Sequence, residues 1–131
     1  MELHLKIVGV LLIGIAVMHV PFPRQFQWKK ELVSLSLMNR EMMYVHTLFV
    51  ALTILLIGLL CLFSASDLVN TPLGKRVCVG LAIFWGTRLI VQFFGYSSEL
   101  WRGKVFETTM HIVFSILWVY VTVVFSAVWL A

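Results

Sequence analysis

The chain has 131 residues, of which 61% are hydrophobic and 12% charged, with a formal charge of +4. A soluble domain carries about twice that charged fraction, so a mean hydropathy of +0.99 excludes an ordinary soluble fold, and continuous rather than alternating apolar runs exclude a membrane β-barrel. There is no basic-aromatic stripe and no nucleic-acid motif, so the positive charge is read as marking membrane-flanking loops rather than a nucleic-acid partner.

In hydrocarbon every backbone N–H and C=O needs an internal partner, which predicts helices. Each span takes roughly 20 mainly apolar residues at about 1.5 Å rise. The sequence has room for four such runs. The expected fold is an all-α membrane protein: a single domain over 1–131, with four transmembrane helices in an up-down bundle at about 3–20, 42–63, 72–94 and 106–131.

The first span, Leu3–Val20, contains Gly9 and Gly14. Glu2 accompanies Lys6 before it, and Ala16-Val17-Met18 offers no small-x-small cleavage site, so an uncleaved span is expected rather than a signal peptide. Pro21 and Pro23 stop it. The long connection that follows combines Phe22, Phe26 and Trp28 with Arg24, Lys29 and Lys30, and sets Trp28, Leu32 and Leu35 on one helical face. That mix predicts a short interfacial helix lying against membrane lipid.

Asn39 is the expected N-cap of the second span, with Glu41 favouring the helix dipole. The polar stretch Ser64-Ala65-Ser66-Asp67 is read as a turn, and Thr71-Pro72 as N-cap and first helical residue of the third span. Cys61 and Cys78 fall near one membrane face; without CxxC or zinc spacing they are expected to be packing residues rather than a disulfide. Gly95-Tyr96-Ser97-Ser98 ends the third span, and Glu99–Lys104, with Trp101, forms a charged loop. On the fourth span Trp118, Phe125 and Trp129 are expected to form an exposed face for lipid, a membrane protein partner or a homo-oligomeric copy.

Arg24, Lys29, Lys30, Arg40, Arg102 and Lys104 flank one side of the four expected spans, against Lys6, Lys75 and Arg76 on the other. The positive-inside rule then predicts a multi-pass cell-membrane protein with both termini outside the cytoplasm.

Ionisable residues inside spans are expensive and face the bundle interior. His19, His46, Arg88, Gln92 and His111 all fall within roughly 10 Å of the cytoplasmic boundary by residue count. Arg88, Gln92 and Tyr96 form one helical stripe; Glu107 and His111 form another, continuing through Ser115, Trp118 and Thr122; His46 shares a face with Met43 and Val50. A polar pocket at the cytoplasmic end of the bundle is predicted.

Four uses of it compete. His46 and His111 could be the axial ligands of a haem b, with Arg88 on the propionates and Gln92 nearby. His19, His46 and His111, with Glu107 or Glu41, could hold a single metal ion and activate water. Arg88, Gln92 and His111 could grip the head of a quinone or lipid-like ligand. In a non-catalytic membrane subunit, Arg88 would pair with Glu107 or Glu41, Gln92 would bond across helices, and each histidine would donate to a carbonyl or serine, all in the service of packing. His19, beside the proline turn, is expected to serve packing, and no catalytic set is legible. In helix count and histidine placement the chain resembles the small four-helix anchor and cytochrome b-type subunits of respiratory systems, a likeness of architecture that assigns no function by itself.

Overall fold

A computed structural model describes residues 1–21, 23, 27–95 and 103–131. The expectations placed on Phe22, Arg24, Phe26, Tyr96, Ser97, Ser98, Glu99, Trp101 and Arg102 lie outside the described residues. Among those described, regular structure is helical: α1 (Glu2–Met18), α2 (Trp28–Glu31), α3 (Leu37–Phe63), α4 (Ala65–Asn70), α5 (Pro72–Phe94) and α6 (Val105–Leu130).

Three of these, α3, α5 and α6, are long and apolar enough to cross a membrane, where four spans were expected. The difference is α1. It has 17 residues, about 26 Å at the helical rise, short of a hydrocarbon core of about 30 Å. The expected end at Val20 is two residues too late because the chain tightens ahead of Pro21: the N–H groups of His19 and Val20 bond three residues back, to Ala16 and Val17. A proline also disfavours helical geometry in the residue before it.

α3 begins at Leu37 rather than Met42. Ser36 is the N-cap, and its hydroxyl accepts from the N–H of Asn39, 3.2 Å away, which places Asn39 inside the first turn. The polar run Asn39-Arg40-Glu41 is therefore helix and not boundary. After the C-cap Ser64 the expected turn is instead the short helix α4. Thr71 caps α5 as expected: its hydroxyl accepts from the Gly74 N–H at 2.9 Å and donates to the Asp67 carbonyl at 2.6 Å, with Pro72 in the first turn. Gly74 is required there, since a Cβ would run into the Asp67 carbonyl oxygen and Leu68.

Contacts group the chain into two compact units, residues 6–65 and residues 1–5 with 66–131. In the first, α1 and α3 cross backbone to backbone at two glycines. A Cβ on Gly9 would stand 2.7 Å from the Gly58 carbonyl oxygen and 2.8 Å from the Leu62 nitrogen; one on Gly58 would stand 2.9 Å from the Gly9 oxygen. Small residues allow this approach, and close packing replaces the hydrophobic drive that lipid cannot supply. The expected interfacial helix is the single turn α2. Lys29 and Lys30 are exposed, but Trp28 is buried, with its ring edge-on to Tyr44 at 5.3 Å. Leu32 and Leu35 fall in the turns that follow α2.

In the second unit α5 and α6 pack side by side and antiparallel: Trp85 meets Trp118, and toward the far end of α5 Gln92 meets His111. Trp118, Val121, Phe125 and Val128 make the buried stripe of α6 at helical spacing. The exposed aromatic face expected on α6 is accordingly corrected. Trp118 and Phe125 are 4% and 0% exposed, and Trp129, one position past the stripe, is 54% exposed. Cys61 and Cys78 are both buried thiols.

Outward faces are apolar, with Leu48, Phe49 and Leu56 on α3, Ile83 and Ile90 on α5, and Ile112, Ile116 and Val123 on α6 all exposed. The hydroxyls of Thr53, Thr87, Ser115 and Thr122 donate to the carbonyl one turn earlier, which satisfies them without water.

Candidate functional site

Arg88 and Gln92 stand one turn apart on α5, so their side chains share a face. Arg88 donates from a terminal guanidinium nitrogen to Gln92 Oε1 at 3.0 Å. Because a guanidinium only donates, this bond fixes the amide: the oxygen faces Arg88 and the NH2 group faces α6. Nε2 lies 3.2 Å from His111 Nδ1 and donates across the helix pair, also reaching the His111 carbonyl at 3.4 Å. That carbonyl accepts the Ser115 hydroxyl as well, at 2.6 Å. Gln92 is 7% exposed, so both ends of a buried amide are used.

The relay continues behind Arg88. Its guanidinium carbon lies 5.2 Å from the centroid of the Trp118 ring, within cation–π range. Trp118 stacks on Trp85 at 4.9 Å with 11° between the planes. On the other flank Phe93 meets the His111 ring edge-on at 6.0 Å. Arg88 is thus oriented from two sides, by an amide and by an aromatic face.

The Gln92 bond has a consequence for His111. A nitrogen that accepts carries no proton, so in the neutral ring the proton is on Nε2. A histidine that binds iron or zinc through Nε2 needs the opposite tautomer, with Nδ1–H donating to a carbonyl or carboxylate. As held here, the ring presents N–H where a ligand needs a lone pair. The 15N ring shifts of His111 in selectively labelled protein are expected to report Nε2 protonated and Nδ1 bare; the reverse pattern would restore His111 as a ligand candidate.

The other expected ligands are placed differently. His19 donates Nδ1–H to the Ile15 carbonyl at 2.8 Å, a bond that closes the last turn of α1. His46 is exposed on α3 in the same compact unit, and Glu41 is exposed near the start of that helix. Glu107 is exposed in the first turn of α6. The metal reading built on His19, His46, His111 and Glu107 is corrected: among the described residues no group of three or more His, Cys, Asp or Glu side chains is placed to hold a metal ion.

Two participants escaped the sequence. Trp85 lies three residues before Arg88, so extending the Arg88–Gln92 stripe backward along α5 would have found it. His4, in the first turn of α1, has its Nδ1 3.0 Å from the Tyr120 hydroxyl of α6. Nothing in local spacing pairs residues so far apart in the chain.

Beside the relay an open groove of about 530 Å³ runs along α5, lined by Gly80, Ile83, Phe84, Thr87, Arg88 and Val91. Small-molecule sites occupy roughly 300–1,000 Å³ and combine apolar walls with a few placed polar groups. Here the polar groups are Arg88, one turn short of Val91 at one end, and Thr87, whose hydroxyl donates to the Ile83 carbonyl at 2.8 Å. At the other end a Cβ added to Gly80 would meet nothing within 4 Å.

No protein-family model, no curated protein and no solved structure matches the chain.

Proposed function

We propose that the chain is a multi-pass membrane protein whose α5–α6 hairpin binds the polar head of a membrane amphiphile, a lipid-like molecule or a quinone. The observation that carries this reading is Arg88, held by Gln92 and Trp118 and lining an otherwise largely apolar groove. Three apolar helices and apolar outward faces support the membrane setting. An arginine within an apolar helix is costly, and such residues ordinarily mark function. Orienting it beforehand reduces what a ligand must spend on ordering. Gln92 and His111 are positioning residues in this scheme, and Ile83 and Phe84 receive the tail. We place the relay end of the hairpin toward the cytoplasm, following the excess of Lys and Arg in the connections on that side of the expected spans.

A second reading, a non-catalytic subunit whose polar cluster specifies how α5 and α6 pack, is favoured by the burial of Gln92 with both amide ends bonded. Filling the groove separates the two. Thr87 is exposed and its hydroxyl bonds only within its own helix, so Thr87→Trp obstructs the groove and leaves the relay in place. Delipidated, detergent-purified protein is incubated with phospholipid or an isoprenoid benzoquinone and weighed by native mass spectrometry. Wild type is expected to retain one of them, and Thr87→Trp about ten-fold less, equivalent to about 1.4 kcal/mol, at an unchanged melting temperature. Equal retention by the two proteins would leave packing as the role of the cluster.

A further inference from the structure

Resting on that reading, we infer that the groove on α5 takes an anionic phospholipid from the surrounding bilayer, with its phosphate at Arg88 and an acyl chain running toward Gly80. The lining residues 80, 83, 84, 87, 88 and 91 recur at helical spacing and form one face of α5. From Gly80 to Arg88 that face extends about 12 Å along the axis. Its walls between these ends are Ile83 and Phe84, with Thr87 turned back on its own helix. Among the described lining residues Arg88 is the one charge, one turn short of Val91, and an apolar run leads from it to Gly80, the pattern of an amphiphile with one anionic head.

Depth agrees. Arg88 lies about 9 Å along the axis from Phe94, where α5 ends, and a long guanidinium side chain at that depth reaches toward the headgroup layer. Gly80 lies on the side of Arg88 away from that end, so a chain laid toward it runs deeper into hydrocarbon. The guanidinium matches a phosphate in charge and in planar hydrogen-bonding geometry. A quinone carbonyl accepts a hydrogen bond from the guanidinium but brings no opposite charge to it, where a phosphate brings both. No acidic side chain is among the described lining residues, so nothing in the groove favours the ammonium of a zwitterionic head.

The test is competitive retention by the delipidated full chain, read by native mass spectrometry. The probes are phosphatidylglycerol and phosphatidylcholine with identical acyl chains, and an isoprenoid benzoquinone in parallel. Wild type is expected to prefer phosphatidylglycerol about five-fold, the factor expected of one cation near an anionic lipid. Arg88→Gln is expected to hold the two lipids equally, and Arg88→Lys, which keeps the charge, to retain the preference. Gly80→Leu, which fills the open end, is expected to lower retention of both lipids without changing their ratio. A wild-type protein that does not discriminate overturns the inference whatever the variants do, and so does a preference that survives Arg88→Gln. Retention of quinone or phosphatidylcholine that Gly80→Leu lowers, with no headgroup preference, overturns the anionic ligand alone. No retention of any probe overturns the amphiphile-binding reading as well.

Discussion

Gly9→Val is expected to destabilise the fold by about 3 kcal/mol, the upper part of the range for overpacking a closed contact. The reason is the identity of the atoms a side chain would meet. The first carbon alone would stand 2.7 Å from the Gly58 carbonyl oxygen and 2.8 Å from the Leu62 nitrogen. Those are backbone atoms of α3 and cannot rotate aside as a side chain does, so α1 and α3 must separate along the crossing. Valine adds two methyl groups to a site already too small for one carbon, so Gly9→Ala should fall between wild type and Gly9→Val. Gly14→Val is the control: it makes the same chemical change in the same helix, at a position where a Cβ meets nothing within 4 Å. Thermal melting in detergent, followed by loss of the monodisperse peak, should leave Gly14→Val at the wild-type midpoint and lower Gly9→Val clearly. Equal midpoints for the two variants would mean that the glycine crossing does not hold this unit together.

What the sequence made legible follows from which rules are local. Thr71-Pro72 and the stop before Pro21 are decided by neighbouring residues, and they were readable as an N-cap and a break. Ser36 and Asn39 are equally good caps, and the choice between them turned on whether a polar turn could belong to a membrane helix. It does, at Asn39, Arg40 and Glu41. In the site, the Arg88–Gln92 pairing is a one-turn relation within a helix, and the bond from Gln92 to His111 follows once α5 and α6 are antiparallel neighbours of matched depth. Convergence of the histidines lay beyond these local rules. Counting residues along an axis gives depth but not rotation about it, and two side chains at one depth can point in opposite directions. Trp118 shows the same thing from the other side: it belongs to the stripe that continues from His111 and Ser115 toward the core, not with Trp129. Rotation is set by packing partners distant in sequence, and Gly9 against Gly58 and His4 against Tyr120 are two such pairs.

Gln92→Leu is expected to cost about 2–4 kcal/mol, because it removes one partner from two groups at once. Arg88 loses the carbonyl that accepts its N–H, and a hydrogen bond to a charged group is among the stronger ones, about 1.5–3 kcal/mol. His111 loses the donor to Nδ1, a neutral cross-helix bond of the kind that averages about 0.6 kcal/mol between membrane helices. Leucine fills the volume and satisfies neither. Gln92→Glu divides the two losses. Its carboxylate still accepts from Arg88, so most of the stability should return, but it has no N–H to give to Nδ1. A carboxylate facing Nδ1 requires a proton on that nitrogen, so the His111 ring is expected to carry Nδ1–H in Gln92→Glu where it carries only Nε2–H in the native chain. The melting midpoint of Gln92→Glu should thus lie near that of wild type while its His111 15N spectrum changes. An unchanged spectrum in that variant would show that something other than Gln92 sets the ring, and the argument that His111 is turned away from metal and haem ligation would fall with it.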